Sequence, residues 1–166
     1  LSKTETGSIL STFALALIFG SPLLGWLANR VGRKPVLMGC SLLLMTASGL
    51  MAWSVNSLPI PALYILFFCL FLAGGPTGPL VATISKELFP IEISGTSVGT
   101  VNLFPFLGAA VLQVGIGAML TARNPGQAVY DATSFRYMFL ILLGVATLSF
   151  VASFLIRETL PADNTA

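Results

Sequence analysis

Five long apolar runs restrict this sequence more than any other feature. They cover residues 7–28, 36–55, 61–85, 94–120 and 135–156, and none contains Asp, Glu or His. A helix rising 1.5 Å per residue needs about 20 apolar residues to cross the hydrocarbon core of a bilayer. Each run meets that length. Transmembrane β-strands would instead read as segments of about ten residues alternating apolar and polar. These runs are continuously apolar, and only a helix then satisfies its own backbone in lipid. The expected fold class is all-α integral membrane, with about five transmembrane helices forming a single domain over residues 1–166.

Charge excludes the soluble alternatives. Charged residues make up 8% of the chain and hydrophobic residues 55%, where a soluble domain carries roughly a quarter charged residues. A water-soluble fold would be coated in apolar side chains. A net charge of +2 is too small for a nucleic-acid partner. Cys40 and Cys69 lie inside apolar runs and read as small packing residues rather than as a disulfide or metal pair.

The connections at 29–35, 56–60, 86–93 and 121–134 leave no room for a soluble domain. Lys and Arg on alternate sides of the membrane set the orientation. Arg30, Arg33, Lys34, Lys86 and Arg157 fall on one side, and Lys3, Arg123 and Arg136 on the other. The first side is expected to be cytoplasmic, with the N-terminus outside. The chain opens at Leu1 just before an apolar run, with no signal peptide to carry that end across. Upstream transmembrane helices are therefore expected to precede it.

One loop carries an identification. Gly25-Trp26-Leu27-Ala28-Asn29-Arg30-Val31-Gly32-Arg33-Lys34 resembles the major facilitator signature G-x-L-A-D-R-x-G-R-K, differing only at Asn29, where the family prefers Asp. Physically, Gly25 allows close helix approach, Gly32 allows a tight turn, and the three basic residues anchor the loop at headgroups. A plain positive-inside hairpin would explain the charges but not the spaced glycines. Two further passages resemble the same family. Lys86-Glu87-Leu88-Phe89-Pro90-Ile91-Glu92-Ile93-Ser94-Gly95-Thr96 is similar to its connection between helices ten and eleven, with Ser94 where many members have Arg, and Arg157-Glu158-Thr159 is similar to the ending after helix twelve. Their order makes the spans resemble helices eight to twelve.

The resemblance implies a transporter of a small solute, secondary active or facilitative, alternating between two helical halves. The upstream half of the same transporter and the lipid bilayer would be its partners. It also implies that Gly25, Asn29, Arg30, Gly32, Arg33 and Lys34 form a conformational gate loop. Asn29 hydrogen-bonds but carries no charge, so the latch should be weaker than one built on Asp. A receptor or scaffold on the same fold remains the alternative reading.

The third run contains Gly74-Gly75-Pro76-Thr77-Gly78-Pro79, which should interrupt its helix. Thr77 is a candidate cavity residue there. Gly74 with Gly78, and Gly95 with Gly99, read as close-packing pairs. Asn102 and Gln113 lie eleven positions apart, about three helical turns, and so share a face; both are candidate cavity-lining residues, with a helix-to-helix hydrogen bond as the plain alternative. Arg123 and Arg136 read as solvated loop residues. An enzyme is not expected: there is no His, and neither Cys neighbours an acid. No cofactor or metal is expected. Short loops and the lack of an N-x-S/T sequon favour a bacterial inner membrane.

Overall fold

A computed structural model describes residues 2–127 and 130–159. These residues form six helices and no strand: α1 (Lys3–Val31), α2 (Arg33–Ser54), α3 (Ile60–Gly74), α4 (Thr77–Leu88), α5 (Ile91–Arg123) and α6 (Ala132–Ser153). With α3 and α4 taken as one interrupted crossing, five are long and apolar enough to span a membrane.

The helix ends follow from local chemistry. Ser2 accepts the Glu5 amide at 3.1 Å while its own amide donates to the Glu5 carboxylate at 2.7 Å, a reciprocal cap on α1. Those bonds from Ser2 hold the Glu5 carboxyl below its usual range. Gly32 alone separates α1 from α2, with φ of 104°, a backbone region that L side chains avoid. Pro35 sits in the first turn of α2, where a missing amide donor costs nothing. Asp131 caps α6 by accepting the Ser134 amide at 2.8 Å.

The interruption falls at Gly75–Pro76. The Gly75 amide still reaches the Phe71 carbonyl at 2.9 Å, but Pro76 has no amide to donate. Thr77 Oγ1 donates to the Gly74 carbonyl at 2.6 Å, which satisfies an acceptor that the break leaves open.

Packing is uneven around the bundle. On α1, Thr12, Ala16, Gly20, Leu24 and Ala28 are buried, one residue in every four, which places them on one face. That face meets α3 and α4. Leu24 and Ala28 join Val36, Leu37 and Cys40 of α2, Ala73 of α3, and Leu80 and Ile84 of α4 in a cluster toward the Gly32 end. A second cluster at the opposite end joins Met51 and Ala52 of α2 to Phe139 of α6 and Phe67 of α3. By contrast, α5 buries none of its residues. Its apolar side chains, Phe104, Phe106 and Val114 among them, are exposed, a surface suited to lipid or to further helices.

Among the described residues, the expected glycine pairs meet no neighbouring helix. A Cβ added at Gly74, Gly78, Gly95 or Gly99 would meet nothing within 4 Å, and the same holds for Gly25. The close approaches occur at Gly20, where a Cβ would lie 2.5 Å from Leu72 Cδ1, and at Gly75, where it would lie 2.9 Å from Leu17 Cδ2. Spacing alone does not fix a helix's rotation about its axis, so the face turned toward a neighbour differs from the one the repeat suggests.

Candidate functional site

The three passages that resembled one family in sequence meet in space. Arg33, in the first turn of α2, is only 8% exposed. Its Nη2 donates to Glu87 Oε1 at 2.5 Å, and Nη1 reaches the Ala28 carbonyl at 3.5 Å. Glu87 stands in the last turn of α4. Its other oxygen, Oε2, accepts from Thr159 Oγ1 beyond the end of α6.

Glu158 closes the arrangement from the same tail. Its Oε1 accepts the Arg33 amide and its Oε2 the Lys34 amide, each at 3.0 Å. These are first-turn amides of α2, which lack partners within the helix and favour a negative charge. Lys34 Nζ returns the contact by donating to the Phe154 carbonyl at 2.7 Å, just past the end of α6. The cluster therefore fastens the α1–α2 turn, the end of α4 and the segment after α6 to one another.

The two sides of its ion pair differ in exposure. A buried guanidinium is stable only with its partners in place, because removing the carboxylate strands a charge in a poorly solvated site. Glu87 is less enclosed, with its side chain 32% exposed.

The residues of the expected gate loop divide in their roles. Arg33 and Lys34 enter the cluster, and Gly32 gives it room: a Cβ there would sit 2.5 Å from Glu158 Oε2. Arg30 turns away, its guanidinium 4.5 Å from the centroid of the Trp26 ring, a cation–π contact on the same helix. Asn29 is exposed and makes no side-chain hydrogen bond among the described residues. With Gly25 and Arg33 it borders a cleft of about 220 Å³ between α1 and α4, which Ser21, Pro76 and Thr83 complete.

The candidate cavity residues do not come together. Thr77 faces a different cleft, of about 310 Å³, with Cys40 and Ser41 of α2 and Ser149 and Ser153 of α6. Across it Ser41 and Ser149 share a hydrogen bond of 3.1 Å. No α5 residue lines that space. Asn102 and Gln113 are both exposed on α5, where the packed helices leave them open to whatever covers α5. Glu87, Glu158 and Thr159 belong to the site, although their sequence signal lay only in the order of the three passages.

The end of the molecule opposite Gly32 has its own polar joint. Asn124 Nδ2 donates to the Leu120 carbonyl at 2.9 Å and to Ser134 Oγ at 2.8 Å, while its Oδ1 accepts the Asp131 amide at 3.0 Å. Arg123, expected as a solvated loop residue, is exposed at the end of α5, with its guanidinium 3.7 Å from the centroid of the Tyr137 ring. Hydrogen bonds from the side chain and amide of Ser134, with Arg123 nearby, hold the Asp131 carboxyl below its ordinary range.

Comparison with known proteins matches this architecture to one family. The family model described as Major Facilitator Superfamily matches residues 1–166. A "probable metabolite transport protein" of Saccharomyces cerevisiae is 30% identical over 147 residues, which is 87% of this chain and 26% of that protein. An efflux pump of Dothistroma septosporum is 30% identical over 142 residues, 84% of this chain and 22% of the pump. This chain thus spans about a quarter of the length of the curated relatives it matches. A solved structure of the proton:xylose symporter XylE superposes with a TM-score of 0.78 at 22% identity, covering 96% of this chain and 37% of the symporter. Sequence motif, helix arrangement and family model agree, and the chain belongs to the major facilitator superfamily.

Proposed function

We propose that this chain supplies helices eight to twelve of a twelve-helix carrier that moves a small solute by alternating access, with the Arg33–Glu87–Glu158 cluster as its gate on the cytoplasmic side. The observation that carries this reading is the meeting of three separate helix junctions at one polar cluster. Carriers of this type are built from repeats and move largely by rocking one helical bundle against another. A joint made of ions and hydrogen bonds, placed at a membrane end rather than in lipid, can reopen where movement of the bundles admits water to Arg33, whose charge is stranded without its partners while the site stays closed. An apolar contact of similar extent would have no such substitute.

The exposed α5 supports a second helical bundle as partner. Asn102 and Gln113 on that helix are costly to leave in lipid; facing the other bundle across a watered path, they would line the route of the solute. Thr77 contributes differently, since its hydroxyl is already engaged at the helix break. The five apolar runs hold no Asp, Glu or His, so any proton-coupling side chain belongs to the other helices. The bacterial inner membrane is the setting we propose, with the excess of Lys and Arg at the Gly32 end on the cytoplasmic side.

The experiment is uptake of candidate solutes by the full-length protein in proteoliposomes, paired with alkylation of single cysteines placed at the Gly32 end. Arg33→Ala and Glu87→Ala are expected to raise alkylation at that end roughly tenfold and to change the transport rate. Full-length protein that binds a solute without moving it would replace the carrier reading with a receptor.

A further inference from the structure

We propose that Thr159 is the positioning residue of the gate, holding the Glu87 carboxylate in the orientation that Arg33 requires. The inference rests on the reading of the polar cluster as a gate, and it adds a residue whose motif match carried little specificity.

The two oxygens of Glu87 are divided between two elements. Oε1 takes Arg33 Nη2 and Oε2 takes Thr159 Oγ1. A partly exposed carboxylate on the last turn of a helix has freedom to rotate, and a single contact with a long guanidinium side chain does not fix its plane. A second donor approaching from a different element does. Thr159 is itself held in place: its amide donates to Glu158 Oε1 at 3.0 Å, the same oxygen that accepts the Arg33 amide. Anchoring of Glu158 on the first amides of α2 therefore brings the next residue's hydroxyl to Glu87.

The result is a closed circuit from Arg33 to Glu87, to Thr159, to Glu158 and back to Arg33. Closure changes the behaviour of the joint. With an open chain of bonds, the tail after α6 could detach while Arg33 kept Glu87. With the circuit closed, release of the tail also loosens Glu87 and so weakens the hold of α4 on α2, because linked hydrogen bonds reinforce one another. Thr159 acts through Glu87 and has no need to meet the solute.

The test uses the full-length carrier in proteoliposomes, with a single cysteine at the Gly32 end and its alkylation rate as the readout. Thr159→Val keeps the branched shape and removes the donor; it is expected to raise alkylation roughly fivefold, with solute affinity in the closed state unchanged. Thr159→Ser keeps the donor and is expected to match the parent. In a Glu87→Ala background, Thr159→Val should add nothing further. A Thr159→Val protein that behaves as the parent while Glu87→Ala is strongly alkylated would overturn the role of Thr159 and leave the gate standing. Equal effects of Thr159→Val with and without Glu87 would also overturn it, by placing its action elsewhere. If neither Glu87→Ala nor Arg33→Ala changes alkylation, the gate reading falls and Thr159 with it.

Discussion

Gly20 on α1 lies against Pro76 at the break between α3 and α4, so close that a Cβ on Gly20 would stand 2.8 Å from the proline Cγ. The nearby Leu72 end could swing aside, but the proline ring is constrained by its own backbone. Gly20→Ala should therefore displace the break or the helix at a cost of about 1–3 kcal/mol. Gly25→Ala, only five residues along the same helix, enters open space and should be close to neutral. Thermal denaturation of the two solubilised variants checks the contrast, and an equal loss at both positions would contradict it.

Gly32→Ala combines two penalties. With φ 104° and ψ 156°, Gly32 lies in a region almost restricted to glycine, which costs an L side chain about 1–3 kcal/mol, and the new methyl would press on Glu158 Oε2. Glu158→Ala in the same protein should relieve the second penalty and leave the first. Because Glu158→Ala by itself loses the bonds to the Arg33 and Lys34 amides, the expected result is a double variant that loses less thermal stability than the sum of the two single variants.

The clasp at Asn124 should respond to acid. Because the Asp131 carboxyl sits below its ordinary range in the folded protein, its contribution is complete above the unfolded value. It is lost as pH falls through the lower, folded one. The first-turn amides of α6 should stay protected from hydrogen exchange at pH 5 and begin to lose protection only below about pH 4. Asp131→Ala should abolish that dependence; a loosening centred near neutral pH would point to another group.

Asn102→Ala should lower transport more than it lowers expression, because the amide faces away from the packed helices and contributes little to holding them together. Equal loss of both would favour a packing role. For the proposed gate, Asn29→Asp places a negative charge on the wall of the cleft beside Arg33 and should favour the closed state. Slower cysteine alkylation at the Gly32 end is the measurement.

Much of the scaffold was legible because its signals are local. Continuous apolar runs report spans, Gly75–Pro76 reports a break, and Gly32 reports a turn; each follows from the chemistry of a few neighbouring residues. Gly20 gave no such signal. Its importance depends on how α1 is rotated against α3, which a repeat of small residues does not specify, and so Gly74 with Gly78 looked like the contact while Gly20 made it. The cluster was half legible for a similar reason. Arg33 belongs to a recognisable loop, but Glu87 and Thr159 become its partners only once two distant helix ends are brought beside it. Asn102 and Gln113 share a face as their spacing requires, yet spacing could not say that α5 would leave that face uncovered.

From Lys3 to Ser54 the chain is helical except at Gly32, so the hinge of this long hairpin consists of one residue's pair of torsion angles. Between Pro22 and the head of α2, Gly32 is the one non-helical residue that could absorb a turn of α1. Twisting α1 must either change those two angles or drag the head of α2 along, and with it the tail that Glu158 fastens there. Substitutions in the part of α1 between Pro22 and Gly32 should therefore be felt at the far end of α6, through the bonds that Glu158 makes to the head of α2.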